Sequence, residues 1–150
     1  MAPLVSTIDI ARPPDEVFAY VTDPARFAEW QGDVVRVRAE DGGPASTGKG
    51  DRFTTTRRIG PSERTFTQEV TECRPPGSWS ARGLDGPLRP SMDITVEPLA
   101  GGTASRVTFA LDFDPHGIGV PLLPLVRRQA AKGAPVSYRN LKRRLEALTG

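Results

Sequence analysis

The 150-residue chain contains one histidine and one cysteine, and neither stands in a spacing that defines a catalytic constellation. His116 falls in the glycine-rich connection Asp114 to Gly119. An imidazole there is either a general base at the mouth of a cavity or a solvated loop side chain, and the second reading is the plainer one. One histidine without a matching carboxylate spacing gives no metal site, so no metal is expected. Cys73 precedes Arg74, but no histidine lies near it in sequence to activate the thiol. Being alone, it also excludes an internal disulfide and a thiolate zinc cluster. No serine occupies a G-x-S-x-G turn. Gly48-Lys49-Gly50 lacks the spacing and following helix of a phosphate-binding loop. No cofactor is expected.

The remaining chemistry is recognition by a few polar groups among apolar ones. Arg57 and Thr55 share a period-two face with Phe53 and Ile59, and Gln68 falls between Phe66 and Val70. Arg127 falls on the inner stripe of a C-terminal helix, if the helical phase is kept through Pro135. Each arginine is either a cavity-lining donor or an exposed charge; inside, it favours a ligand with a carboxylate, phenolate or carbonyl near one end. Trp30 either stacks on a ligand or staples a short helix to a sheet, the staple being the simpler use of a large indole. Tyr20 and Tyr138 supply phenolic donors or helix packing. The apolar strand positions expected to face inward include Phe53, Phe66, Val70, Trp79, Met92, Ile94, Val107, Phe109 and Leu111, most of them core and some lining a pocket.

These positions are set by elements whose periodicity is legible. Leu4 to Ile10 alternates as a strand. Pro13 and Pro14 stop it, and Asp15 and Glu16 open a short helix through Val21. Asp23-Pro24 starts a second short helix ending at Trp30. Strand signals follow over Val34 to Glu40, Asp51 to Ile59, Glu63 to Cys73, Trp79 to Leu84, Met92 to Val96 and Val107 to Phe113, with turns at Gly42 to Gly50, Gly60-Pro61, Arg74 to Gly77, Asp85 to Pro90 and Gly101-Gly102. The last thirty residues are helical, with Leu141, Leu145 and Leu148 on one face and Arg139, Lys142, Arg143 and Glu146 on the other. Projected backward, that inner stripe passes through Ala134, Ala130 and Leu123, so its middle is small. Gly133 and Pro135 predict a kink or break there.

One strand, two short helices, about six strands and one long helix make an α+β pattern, with an antiparallel sheet that only the last helix is large enough to cover. A single domain spanning 1–150 is expected. The small middle of the helix stripe leaves room for a cavity between helix and sheet, and Ala130 and Ala134 are candidate lining residues.

The net charge of +2 is too small to predict nucleic-acid binding. Its distribution is uneven: residues 120 to 150 carry seven basic groups against one acid. That surplus is either a docking face for an anionic partner or membrane, or a solvated outer face favoured by the helix dipole. No run of about eighteen apolar residues is present, so stable membrane insertion is not expected, and a cytoplasmic protein, monomeric or homodimeric, is.

The stretch "ARPPDEVFAYVTDPARFAEW", the Gly48-to-Phe53 turn, and then "EVTECRPPGSWSARG", "GGTASRVTFALDF" and "NLKRRLEAL" resemble, nearly end to end, the polyketide cyclase/dehydrase-like branch of the START and birch-pollen-allergen-like superfamily. The resemblance implies a helix-grip fold, in which a curved antiparallel sheet grips a C-terminal helix around a deep cavity. It also implies a hydrophobic small-molecule ligand such as a lipid or polyketide, which some members cyclise or dehydrate. Pro135 departs from the uninterrupted terminal helix it implies. Three functions follow as expectations: binding or transport of such a ligand, cyclase or dehydratase activity on a poly-carbonyl substrate, and docking through the basic helix.

Overall fold

The computed structural model describes residues 3–39 and 48–147; Leu148 and most of the Gly42-to-Gly50 turn lie outside them. Strand β1 (Leu4–Ile10) is followed by helix α1 (Pro14–Val21) and, after a 3-10 turn, by helix α2 (Phe27–Trp30). Six strands then run consecutively: β2 (Val34–Ala39), β3 (Arg52–Ile59), β4 (Ser62–Arg74), β5 (Ser78–Gly83), β6 (Leu88–Leu99) and β7 (Ala104–Pro115). Helix α3 (Gly119–Ala147) closes the chain's described part. The strands form one antiparallel sheet in the order β1-β7-β6-β5-β4-β3-β2, wrapped around α3. The fold is therefore α+β, of the helix-grip type.

Local chemistry accounts for the boundaries. Pro14 opens α1 with its fixed φ and its dispensable N–H, and Asp15 and Glu16 favour the positive end of the helix. The Asp23 carboxylate accepts from the Ala25 N–H at 3.0 Å, starting the 3-10 turn that aims α2. Register shifts between Val34 and Arg36 and between Val70 and Glu72 mark bulges, which bend a sheet. β6 begins earlier than the sequence predicts, since Leu88 to Pro90 pair with β7 rather than turning. Pro90 is tolerated because β5–β6 pairing ends at Arg82 and Ser91. Its ring fits beside Gly83, where a Cβ would stand 2.7 Å from the proline Cδ.

α3 does not break at Pro135. The helix runs through both Pro124 and Pro135, so of the kink or break expected at Pro135 the break is ruled out. Both prolines are exposed, as are Val120 and Ala131, the residues four positions earlier whose carbonyls they leave unpaired. Water can satisfy those carbonyls, which removes much of the cost of an interior proline. The helix is anchored at both ends. At its start Gly119 lies against the β5–β6 turn, where a Cβ would fall 1.8 Å from the Pro87 carbonyl oxygen. At its end the Arg12 guanidinium donates to the Leu145 carbonyl at 3.0 Å, and the Glu146 carboxylate accepts from Lys142 and from the Ala11 N–H at 2.8 and 2.9 Å. Those bonds, Lys142 first, hold the Glu146 carboxyl below its usual range. Leu141 and Leu145 are fully buried beneath this latch with Ile10, Val17 and Val107, and each contributes roughly 1.5–3 kcal/mol by leaving water.

Candidate functional site: a cavity between sheet and helix

The core divides along α3. Toward the C-terminus Tyr138, Leu141 and Leu145 join the main core, while toward the N-terminus Val126 packs with Phe66 and Leu88 in a second cluster. Between them the helix turns the small side chains of Ala130 and Ala134 inward, with Gly133 at the edge, and there the sheet and helix enclose a cavity of about 560 Å³. Its floor comes from alternate positions of neighbouring strands: Phe66 and Gln68 on β4, Trp79 on β5, Met92 and Ile94 on β6, Leu111 and Phe113 on β7. Cross-strand register places Trp79 beside Ile94 and Met92 beside Leu111. Phe27 and Trp30 of α2 close one end. The lining residues Gly32, Arg58, Gly60, Gly133 and Val136 are exposed, so the mouth lies between the β3–β4 turn and the middle of α3. The Gln129 amide bridges it, donating to the Arg58 carbonyl at 3.1 Å.

Small helix residues either line a cavity or let the helix approach the sheet closely, and Gly133 bears on the choice. A Cβ at this position would meet nothing within 4 Å, so the glycine serves no close approach of helix to sheet. A glycine in a helix interior costs about 1 kcal/mol relative to alanine, and here the gap it leaves opens at the cavity mouth.

A few polar side chains interrupt the apolar wall. The Arg57 guanidinium pairs with Asp33 at 3.0 Å, and both residues line the cavity. Gln68, buried, accepts from the Thr55 hydroxyl at 3.1 Å, which leaves its NH₂ as the free end of the amide. Tyr138 lies face to face on Phe109, ring centroids 4.0 Å apart, and its phenol makes no hydrogen bond to a described residue. Burial pushes the Tyr138 phenol up to about 12, with nearby Arg57 pulling it the other way, so it is a neutral donor at any physiological pH. The indole N–H of Trp30 is sealed from solvent and has no partner among the described residues; it is therefore not available to a ligand.

The tyrosines give a direct check on this geometry. Tyr20, the other tyrosine of the two, is also raised to about 12, by burial and by its 2.7 Å hydrogen bond to Glu29. Both folded-state values lie above the ordinary phenol near 10. Their stabilising contribution is therefore complete below pH ~10 and is lost as pH rises through about 12. Native protein is expected to show no tyrosinate absorbance near pH 10, where urea-unfolded protein is half ionised; a native midpoint near 10 contradicts the buried placement.

Of the residues singled out from sequence, the structure brings Trp30, Arg57, Phe66, Gln68, Trp79, Met92, Ala130 and Ala134 to the cavity wall. Trp30 also staples α2 to the core, 2% exposed and 6.1 Å from both Phe27 and Phe109. Phe53, Thr55 and Phe109 are not at the wall. They are fully buried behind it, Phe53 edge-on to Phe27 and Phe109 covered by Tyr138. Arg127 points away from the cavity and pairs with Asp112 of β7 at 3.1 Å. His116 is exposed, 3.0 Å from Asp114, and does not reach the cavity either. Sequence reasoning missed Phe27, Asp33, Gln129 and Ser137, which line it; Phe27 alone had a signal, as the second aromatic of the helix that carries Trp30.

A curved antiparallel sheet gripping a long helix around an open, largely apolar cavity defines a helix-grip protein of the START-like kind. A family model described as "Polyketide cyclase / dehydrase and lipid transport" matches residues 1–146, and the chain belongs to that family. Among solved structures, a START superfamily protein from Mycobacterium smegmatis superposes with a TM-score of 0.74 at 17% identity, covering 99% of this chain and 100% of that one. A protein from Thermus thermophilus gives 0.78 at 16%, covering 99% of each chain. The Zhui aromatase/cyclase from a Streptomyces species gives 0.77 at 13%, covering 96% and 93%. At these identities the likeness shows the fold alone. No curated protein matches the sequence. Among the described residues no helix is long and apolar enough to cross a membrane, and no cluster of three or more His, Cys, Asp or Glu could hold a metal ion.

Proposed function

We propose that this protein binds and carries a hydrophobic or amphipathic small molecule, with an apolar body and an acceptor oxygen at one end, in the cavity beneath α3. The observation that carries the reading is the cavity. Its volume of about 560 Å³ falls within the roughly 300–1,000 Å³ of small-molecule sites. Its walls are mainly aromatic and aliphatic, and donors stand among its few polar groups: the Arg57 guanidinium, paired with Asp33, the Gln68 NH₂ and the Tyr138 phenol. An acceptor such as a carboxylate, phenolate or ketone meets the Arg57 guanidinium near the mouth, while the apolar body displaces water from the floor.

A fluorescent fatty acid is expected to bind saturably, one per chain, and to be displaced by fatty acids or by aromatic ketones and phenols of similar size. Failure to bind across lipids, sterols and aromatic polyketides rejects the reading. The same donors could stabilise an enolate in a poly-carbonyl chain held folded by the walls, and the Zhui neighbour is itself described as an aromatase/cyclase. Mass analysis of the recovered ligand separates the two: unchanged material supports carriage, and loss of water or a new ring supports an enzyme.

A further inference from the structure

We propose that the outward stripe of α3 is a docking surface for an anionic lipid membrane, to which it presents the cavity mouth. Seven basic residues stand on this helix within the described residues, and the structure sorts them by face. Arg127, Lys142 and Arg144 are held by Asp112, Glu146 and Glu29. Arg128, Lys132, Arg139 and Arg143 are exposed and make no ion pair with any described residue. Their spacings of four, seven and four put them on one face, a row about 22 Å long at 1.5 Å per residue. No acid stands on α3 before Glu146.

The same stripe continues toward the N-terminus through Leu125, three residues before Arg128, and Pro121, four residues before Leu125. There the surface becomes apolar. Ile118, Val120 and Leu125 are 66%, 59% and 57% exposed. The row of unpaired cations thus runs into Leu125, with Ile118 and Val120 protruding around the start of the helix. An anionic bilayer complements both parts: its headgroups neutralise the cations, and its interface accepts single apolar side chains without a shaped groove. An acidic protein partner would complement the cations and leave the aliphatic end in water.

The surface also has the right neighbour. Gln129, Gly133 and Val136, at the cavity mouth, flank the stripe on the same helix, so docking along it brings the mouth to the lipid. The attachment is peripheral. Vesicle docking itself needs no cavity ligand, so it stands or falls separately from the function proposed above.

The test is co-sedimentation of the intact protein with phosphatidylcholine vesicles, without or with about one third phosphatidylglycerol. Binding is expected only to the anionic vesicles, weakening as salt shortens the screening length. The exposed substitutions Arg128→Gln with Lys132→Gln are expected to lower vesicle affinity roughly tenfold or more, with fluorescent fatty-acid binding unchanged. Leu125→Ser is expected to lower it several-fold, which a purely ionic attachment would not. Equal partition to both vesicle types, or anionic binding that survives the double substitution, overturns the proposal. Binding that the Leu125→Ser change leaves intact, together with equally tight binding to a soluble polyanion, overturns it in favour of an acidic macromolecule.

Discussion

Replacement of Ala130 by phenylalanine is expected to lower fatty-acid affinity roughly a hundredfold, about 2.8 kcal/mol, without lowering thermal stability. Ala130 stands on the inner face of α3 at the cavity roof, between the two core clusters and in neither of them. A phenyl ring at this position extends into the open space toward the floor. Filling a void of this kind adds dispersion contacts and buries apolar surface, which favours the folded state. It removes the volume a ligand requires. Stability and binding should therefore separate, and isothermal titration with a melting curve reads both. Retained affinity in a normally folded variant means that the ligand binds elsewhere.

Phe109→Ala is expected to act the opposite way, on folding. Phe109 is 0% exposed, stacked on Tyr138 and tilted against Trp30, so it joins the sheet to both α2 and α3. Truncating a buried phenylalanine costs about 3–5 kcal/mol, a large share of the roughly 5–15 kcal/mol that stabilises a domain. The melting temperature should fall by on the order of 10 °C. Chemical denaturation measures the loss, and a value under ~1 kcal/mol would show that the ring is not packed as described.

These two positions illustrate what the sequence could and could not resolve. The element order was legible because its signals are local: strict alternation in Leu4 to Ile10, proline and acid at the start of α1, the Asp23 cap, and the leucine stripe ending α3. The same alternation put Phe53, Phe66 and Phe109 on the inner face of the sheet. Period two identifies the face, and says nothing about which other element covers each residue. Phe66 meets open cavity, while α2 covers Phe53 and Tyr138 covers Phe109. Asp33 has no periodic signal, because it sits in a connection and matters only through the fold that brings it to Arg57.

The arginines follow the same logic. Arg57 sits beside the mouth because strand alternation carries over to the end of β3. Arg127 is on the projected inner stripe, but the period does not say which strand side chain faces it, and Asp112 of β7 holds its guanidinium outside the cavity wall. Pro135 does not break α3 because a proline's cost depends on whether the carbonyl it frees is wet. The exposed position of Ala131 is a tertiary fact that no window around Pro135 contains.

Entry of ligand into the cavity under α3 has a built-in reporter. The chain has two tryptophans, and Trp30 and Trp79 both line the cavity. Titrating the native protein with a fatty acid whose fluorophore accepts indole emission should quench tryptophan fluorescence saturably at one ligand per chain, and Ala130→Phe should abolish that quenching. Quenching that fails to saturate, or that persists in the cavity-filled variant, would contradict the account.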